Sequence, residues 1–181
     1  MALRIVLTAL FALAAAPAAA AEKTSLQLGF DAADAGNDAL AAQHYRSACD
    51  TGTMQGCVLL GTLHANGRGV PKDETLAVTL YRQGCDGGSA IGCANLAFAY
   101  SSGKGVQRDD AQAVALFQLA CDKRSTVGCL NLATMYDQGI GVPKDPKKAI
   151  AAYLLVLGLK PNEDQKARAQ DRLDVLLAAQ Q

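Results

Sequence analysis

The sequence predicts an all-α protein, an α/α solenoid built by stacking one repeated helical hairpin. Six cysteines form three pairs with the same eight-residue spacing, and the pairs recur every 36 residues. Within each unit, two helix-start residues and a glycine recur at fixed places, and small or aromatic residues recur every four positions. A period of this length is typical of solenoids, because a single hairpin cannot bury its apolar faces without neighbours. The cysteine pairs are Cys49 and Cys57, Cys85 and Cys93, and Cys121 and Cys129.

The first helix of each unit begins at a residue whose side-chain oxygen can accept a hydrogen bond from a first-turn amide. These residues are Asn37, Asp73, Asp109 and Asp145. In the first unit, Ala41, Tyr45 and Cys49 then follow at four-residue intervals. Residues four apart lie on the same face of a helix, so this spacing predicts a first helix with one buried face.

A second cap position follows each first helix, and a glycine ends the helix that starts there. The caps are Thr53, Ser89 and Ser125, and the glycines are Gly67, Gly103 and Gly139. Glycine adopts the left-handed conformation that commonly ends a helix. A Gly-Val pair then turns the chain toward the next cap, as at Gly69 and Val70. The pattern therefore predicts a second helix antiparallel to the first.

The ends of the chain differ from the repeated units. We expect three full repeats over residues 37–72, 73–108 and 109–144, with a partial fourth repeat and a capping helix over 145–181. Residues 22–36 are predicted to form an N-terminal capping helix. In the C-terminal helix, Leu173, Leu176 and Leu177 are expected to face inward. Terminal helices of this kind shield the ends of a solenoid.

Residues 1–21 are typical of a cleaved secretory signal. Arg4 precedes an apolar run of about a dozen residues, shorter than the ~20 needed to span a bilayer. We therefore expect a periplasmic or secreted protein with no membrane insertion after cleavage. The whole chain has 17 basic and 17 acidic residues, and this balance gives no electrostatic argument for nucleic acid as a partner.

The repeated pattern A-x3-[YF]-x3-C-D-x5-G-C-x2-L-[GA]-x2-[HY]-x2-G-x-G-V resembles Sel1-like repeats over residues 37–157. It is most similar to the cysteine-rich secreted branch typified by the Helicobacter cysteine-rich proteins. This resemblance implies a right-handed solenoid with one disulfide per repeat joining its two helices. It also implies either a penicillin-binding or β-lactamase activity, as that branch has been classed, or an adaptor function like that of other Sel1-like proteins.

Six cysteines allow 15 disulfide pairings. Pairing across units, Cys57 with Cys85 and Cys93 with Cys121, would leave Cys49 and Cys129 without partners. Pairing within each unit uses all six, so we expect Cys49–Cys57, Cys85–Cys93 and Cys121–Cys129. A metal site is not expected, because two cysteines eight apart do not match a zinc spacing. We also expect no cofactor.

A catalytic function has weak support in the sequence. Ser101-Ser102-Gly103-Lys104 matches the S-x-x-K pattern of serine β-lactamases, but the serine falls at a helix end, and the K-T-G and S-D-N patterns are absent. His44 and His64 belong to no recognisable triad. Asn95 and Asn131 are expected to bond a neighbouring loop or backbone.

Polar residues in register on the first helices form the predicted binding surface. Solenoids commonly bind extended peptides along a concave face, and the sequence places Arg46, Arg82, Gln118, Gln43 and Gln83 there. The expected function is binding of a protein, a peptide or a peptidoglycan fragment by a monomer. The alternatives are a weak β-lactamase or penicillin-binding activity and an architectural role as an envelope scaffold.

Overall fold

The computed structural model describes residues 23–179, and this part of the chain is entirely helical, with nine helices and no strand. The predicted signal segment, residues 1–21, lies outside the described residues. The seven central helices each contain 13 residues. In order, the helices are α1 (Ser25–Asp34), α2 (Asp38–Asp50), α3 (Met54–Asn66), α4 (Glu74–Asp86), α5 (Ala90–Ser102), α6 (Asp110–Asp122), α7 (Thr126–Gln138), α8 (Pro146–Gly158) and α9 (Glu163–Ala178).

The predicted caps form at nearly every helix start. The side-chain oxygens of Asn37, Asp73, Asp109 and Asp145 accept bonds from the amides three residues later, at 2.9 to 3.1 Å. Ser89 and Ser125 cap α5 and α7 in the same way. Thr53 is the exception among the predicted caps. Its side chain accepts no capping bond, because the Gly56 amide that it would serve donates to the Thr53 backbone carbonyl at 2.8 Å.

Three disulfides join consecutive helices: α2 to α3, α4 to α5 and α6 to α7. They connect Cys49 to Cys57, Cys85 to Cys93 and Cys121 to Cys129, with Cα atoms 4.5 to 4.6 Å apart. These are the pairs that the sequence predicts. Such short separations require two helices to approach closely. Gly56 permits this approach, since a Cβ atom there would lie 2.9 Å from the Cys49 nitrogen.

The array curves, with one set of helices on its inner side. Neighbouring members of the set α3, α5, α7 and α9 contact one another, whereas α2, α4, α6 and α8 make no comparable contacts among themselves. Helices that touch lie on the inside of a bend and helices that are spread apart lie on the outside. The inner face therefore belongs to the second helix of each unit. This differs from the expectation that the first helices line the concave face.

The core is a row of small and aromatic residues between the two helix sets. Tyr45, Tyr81, Phe117 and Tyr153 occupy one repeat position, and all four are buried. At the C-terminal end, α9 buries Ala169, Leu173 and Leu176 against α7 and α8. Leu177 was predicted to face inward but is 43% exposed. It follows Leu176 by one residue, about 100° around the helix, and so leaves the face that the other leucines share.

Candidate functional site

The predicted binding residues lie on α2, α4 and α6, on the outer side of the array. Two of them are held by neighbouring side chains. Arg82 donates from Nη2 to the Tyr100 hydroxyl at 2.7 Å, with its guanidinium carbon 5.9 Å from the ring centroid. Gln118 donates from Nε2 to Asp122 at 2.8 Å. The other three predicted residues, Arg46, Gln43 and Gln83, are exposed on this outer surface.

An outer groove of about 470 Å³ lies between α6 and α8, over α7. Gln118 and Asp122 line it on α6, and Tyr136 forms part of its floor. On the α8 side, the Lys148 ammonium lies 5.2 Å from the Tyr136 ring centroid. Gln118 is thus a predicted binding residue that lines a groove on the outer side.

The inner face carries a cavity of about 490 Å³ between α3 and α5. Helix α4 forms its floor, and the two inner helices form its walls. Phe98 on α5 is 41% exposed there, a large apolar side chain accessible from the inner face. The residues that line the floor and walls are Ala77, Val78 and Tyr81 on α4, Ala65 and Asn66 on α3, and Asn95, Phe98 and Ala99 on α5.

Phe98 occupies a repeat position at which the other two units have threonine. Thr62 accepts a long hydrogen bond from the Tyr81 hydroxyl at 3.5 Å, and Thr134 lies 3.4 Å from the Tyr153 hydroxyl. In the middle unit the partner is Phe117, and its ring meets Phe98 edge to face with centroids 5.0 Å apart. The middle unit thus replaces a pair of hydroxyl groups with a pair of aromatic rings. The edge-to-face geometry of these rings is one that aromatic pairs prefer.

Asn95 has an unpaired side-chain amide within the part of the chain described. Its register equivalent Asn131 donates to the Val127 carbonyl at 2.8 Å, a backbone bond of the kind expected from the sequence. Asn95 makes no such bond, although it lines the inner cavity. An amide offers donors and an acceptor together, so Asn95 can bind a peptide backbone in the cavity.

One end of the cavity is positively charged. In the first unit, Arg68 binds Asp38 through two hydrogen bonds of 2.8 and 3.0 Å. The register equivalents in the next unit are Lys104 and Glu74, but Glu74 instead pairs with Lys72 at 2.8 Å. Hydrogen bonding from Lys72 lowers the pKa of Glu74, and the nearby charges of Lys72 and Lys104 lower it further. Lys104 forms no ion pair among residues 23–179.

The Ser101-to-Lys104 segment lies at this same end of the cavity. Both serines belong to the last turn of α5, and Gly103 ends the helix in the left-handed conformation with φ 69°. The Ser101 and Ser102 hydroxyls each donate to the Phe98 carbonyl, at 3.1 and 2.6 Å. Their protons are therefore engaged by the helix backbone. A nucleophilic serine instead needs a base as its hydrogen-bond partner.

Neither histidine lines the inner cavity. His64 is buried, and its Nδ1–H donates to the Pro71 carbonyl at 3.2 Å. His44 is half-buried on α2, away from the inner cavity. No group of three metal-binding side chains occurs within the described range. No helix there is both long and apolar enough to span a membrane.

Sequence reasoning missed one buried ion pair. Asp137 on α7 is 2% exposed, and its Oδ2 atom accepts bonds from both Nε and Nη2 of Arg172 on α9. The bond from Nε measures 2.8 Å. The corresponding residues in earlier units are Ala65 and Ser101. A charged residue at a position otherwise held by small ones is the signal that could have found it.

A sequence model described as Sel1 repeat matches residues 25–52, 55–89, 90–125 and 126–155. The chain belongs to the Sel1 repeat family. Each matched unit contains two consecutive helices, from α1 with α2 to α7 with α8, so every disulfide joins two consecutive Sel1 units. The units predicted at 37–72, 73–108 and 109–144 contain the same helices but are offset by one helix, so that each begins with α2, α4 or α6.

Solved structures agree with this family. A Sel1 repeat protein from Oxalobacter formigenes is 25% identical, with a TM-score of 0.70, over 75% of this chain and 57% of that one. Helicobacter pylori cysteine-rich protein B is 29% identical, with a TM-score of 0.57, over 72% of this chain and 94% of that one.

A third structure shows the same fold. It is c5321, a protective antigen of uropathogenic Escherichia coli strains, which is 22% identical with a TM-score of 0.68, over 83% of this chain and 37% of that one. This Sel1 repeat protein thus aligns to only part of the length of two of these three relatives. No curated protein sequence matches it.

Proposed function

We propose that this Sel1 repeat protein works outside the cytosol and binds an extended peptide segment, free or part of a larger partner, in the inner cavity between α3 and α5. Partners of this class include a protein tail and the peptide of a cell-wall fragment. The carrying observation is the cavity itself, where an exposed Phe98 stands beside the unpaired amide of Asn95. Aromatic side chains in apolar pockets are frequent anchors of interfaces.

The location outside the cytosol rests on two features. Three disulfides bridge the array, and such bonds persist in oxidising compartments. The N-terminal segment has the charge and apolar run of a secretory signal. Fractionation of cells producing the full chain tests this part, and recovery of unprocessed protein with reduced cysteines in the cytosol would overturn it.

Selecting peptides from a random library for binding to the mature protein tests the binding function. The selected peptides are identified by sequencing. Phe98→Thr installs the residue that the other two units carry at this position. We expect this substitution to lower the affinity for the selected peptides at least tenfold. This corresponds to about 1.4 kcal/mol, on the scale of an interface anchor. The control is the outer-face pair Arg46→Ala with Arg82→Ala, which should leave affinity within about twofold. Loss of binding only in the control would move the site to the outer surface.

A weak β-lactam-directed activity is the second candidate. It is favoured by one observation: Ser101, Ser102 and Lys104 line the same inner cavity. The hydroxyl protons of both serines are bound to the helix backbone, which argues against a nucleophile. Incubation of the mature protein with a chromogenic cephalosporin separates this candidate from a binding protein.

The third candidate function is an architectural role in the envelope. A scaffold would hold its partners through broad surfaces, so Phe98→Thr would leave envelope complexes intact. A peptide-binding protein would lose its partner with that substitution. Crosslinking in intact cells, comparing wild type with Phe98→Thr, distinguishes the two.

A further inference from the structure

We infer that one edge of the array binds a second copy of this chain in antiparallel orientation. This edge, called the bridged edge below, consists of the four turns at which an outer helix ends and the next inner helix follows. The first three turns are bridged by the disulfides. The arrangement differs from the monomer expected from the sequence, and it does not involve the inner cavity. The turns are residues 50–52, 86–88, 122–124 and 158–160.

The net charge of the bridged edge changes sign along the array. In chain order, the four turns carry net charges of −1, −1, +1 and +1. An edge with this pattern is complementary to itself when a second copy runs in the opposite direction. The charged residues, in the same order, are Asp50, Asp86, then Asp122 with Lys123 and Arg124, and finally Lys160.

The turns of the bridged edge lie next to one another. A Cβ atom at Gly88 would lie 3.8 Å from the Lys123 Nζ atom, and the Thr126 hydroxyl donates to the Leu159 carbonyl at 3.5 Å. Each turn follows an outer helix of the same length, so successive turns are one repeat apart. Two antiparallel copies can therefore bring the first turn of each against the fourth turn of the other, and the second against the third.

Two cations of the bridged edge hold a backbone conformation that suits glycine. Arg124 and Lys160 have φ values of 64° and 53°, and they are the two residues other than glycine with positive φ in residues 23–179. The equivalent residues in the first two turns are Gly52 and Gly88, with φ values of 87° and 91°. A side chain in this conformation costs stability that glycine avoids. Because strained residues are often found at functional sites, this cost indicates a role for the two positive charges.

The cations of the bridged edge lack the carboxylate partners found at the opposite edge. Near the glycine turns, Arg68 and Arg108 each bind an aspartate at 2.8 Å. Lys123, Arg124 and Lys160 are exposed, and none of them forms an ion pair among residues 23–179. Their charges are therefore available to carboxylates of another molecule.

The acidic half of the bridged edge supplies such carboxylates. Asp50 and Asp86 lie at helix C-termini, where the helix dipole disfavours a negative charge. Neither forms an ion pair in the part of the chain that the structure describes, whereas Asp122 accepts a hydrogen bond from its own helix at 2.8 Å. In the antiparallel dimer, Lys160 of the second copy meets Asp50. Arg124 of the second copy meets Asp86, so each cation offsets a helix dipole.

Exposed apolar side chains lie at the centre of this arrangement. Ile91 and Val127 are 61% and 37% exposed, in the first turns of α5 and α7 beside the bridged edge. The outer units are polar here: the first has Gln55, and α9 begins with Glu163 and Asp164. Since the second turn of one copy faces the third turn of the other, Ile91 meets Val127 of the second copy. An apolar centre surrounded by polar pairs is typical of interfaces between proteins.

Sedimentation velocity of the mature protein at low salt, over concentrations up to about 1 mM, tests the inference. The wild type should dimerise, and added salt should weaken the dimer because its contacts are charged. Arg124→Gly with Lys160→Gly installs the residues of the first two turns and removes the strained conformations, so the monomer keeps its fold. This double variant should raise the dimer dissociation constant about tenfold or more. A wild type that stays monomeric, or a dimer that survives the double variant, would overturn the inference.

The matched control is Lys144→Gln with Lys147→Gln. It removes the same two positive charges from the opposite edge, where both side chains are exposed, and should change the dissociation constant by less than about twofold. If the control weakens the dimer as much as the glycine double variant does, net charge rather than the bridged edge controls association, and the inference is wrong.

Exchanging charges between two copies tests the orientation. One variant carries Arg124→Asp with Lys160→Asp, and the other carries Asp50→Lys with Asp86→Lys, so each bridged edge has a single sign of charge. Each variant alone should stay monomeric, and their mixture should form a heterodimer. A mixture without heterodimer, with both variants folded by circular dichroism, would contradict the antiparallel arrangement. Peptides selected on the wild type should still bind both variants, so this failure is distinct from failure of the peptide-binding function.

Discussion

Asp137 is buried on α7, and one of its carboxylate oxygens accepts two hydrogen bonds from the half-exposed guanidinium of Arg172 on α9. The pair ties the C-terminal helix to the last full unit of the array. The carboxylate lies in the interior, whereas the arginine is 46% exposed. Removing Arg172 would therefore leave a buried charge without a partner, whereas removing Asp137 would leave a charge that is half exposed to water.

Arg172→Ala should destabilise the protein more than Asp137→Ser. The first change leaves a buried carboxylate unpaired, and the second removes the charge and restores the residue found at Ser101. We expect a loss of about 2 to 3 kcal/mol for Arg172→Ala, below the range for fully buried pairs because the arginine is half exposed. Urea unfolding gives the free energies. The double variant should be more stable than Arg172→Ala alone, and the opposite order would contradict this account.

Tyr81 should make the protein sensitive to alkaline pH. Burial raises the pKa of its phenol above the usual value near 10. The folded state thus favours the neutral phenol, while the unfolded chain ionises first. Its contribution to stability is fully present below pH 10 and is lost as the pH rises through the folded-state pKa.

Tyr81→Phe is the variant that measures this contribution. Phenylalanine already occupies the same repeat position at Phe117, and the hydrogen bond lost is a long one, so stability at pH 7 should change by about 0.5 kcal/mol or less. Between pH 9 and pH 11, the free energy of unfolding should fall less for the variant than for the wild type. Parallel curves would show that Tyr81 does not contribute.

Each disulfide should contribute about 2.5 kcal/mol to stability by the chain-entropy estimate for so short a loop. Replacing Cys85 and Cys93 together with alanine should lower the free energy of unfolding by about that amount while the helix content is kept. Non-reducing peptide mapping of the wild-type protein should recover only the three pairs eight residues apart. A major peptide joining other cysteines would show that the pairing is wrong.

Serine substitutions should have little effect on any β-lactam turnover. Because the Ser101 and Ser102 hydroxyls donate to the Phe98 carbonyl, replacing either with alanine should leave the rate within about twofold. A true nucleophile would cost several orders of magnitude. The chromogenic cephalosporin assay, run with heat-denatured protein as its blank, measures the rate. Turnover that disappears with either substitution would establish a catalytic serine.

The local features of the fold were predictable from the sequence. Caps such as Asp73, glycine ends such as Gly103 and the eight-residue cysteine spacing depend on neighbours within one or two turns, so the repeat reveals them directly. The starts of the central helices and the glycine ends of α3, α5 and α7 followed from these signals.

The side of the array that faces inward was not predictable in this way. It depends on which helices approach across units, and the polar register of Arg46 and Arg82 looks the same on either surface. Asp137 and Arg172 are 35 residues apart and belong to different kinds of helix, so no repeat relates them. In the sequence, phenylalanine at 98 and at 117 replaces threonine and tyrosine at two repeat positions that show no relation to each other. The structure shows that the two rings are in contact.

The disulfides cross the joints between consecutive Sel1 units, and this placement has a consequence for proteolysis. A protease that cuts the turn at Thr51–Gly52 cleaves within a bridged loop, so both fragments stay in one covalent molecule. The same holds for the turns between α4 and α5 and between α6 and α7. A cut in the glycine turn at Gly67–Gly69 releases separate pieces, because no bridge spans it. Proteolytic digestion should therefore separate the molecule at the glycine turns.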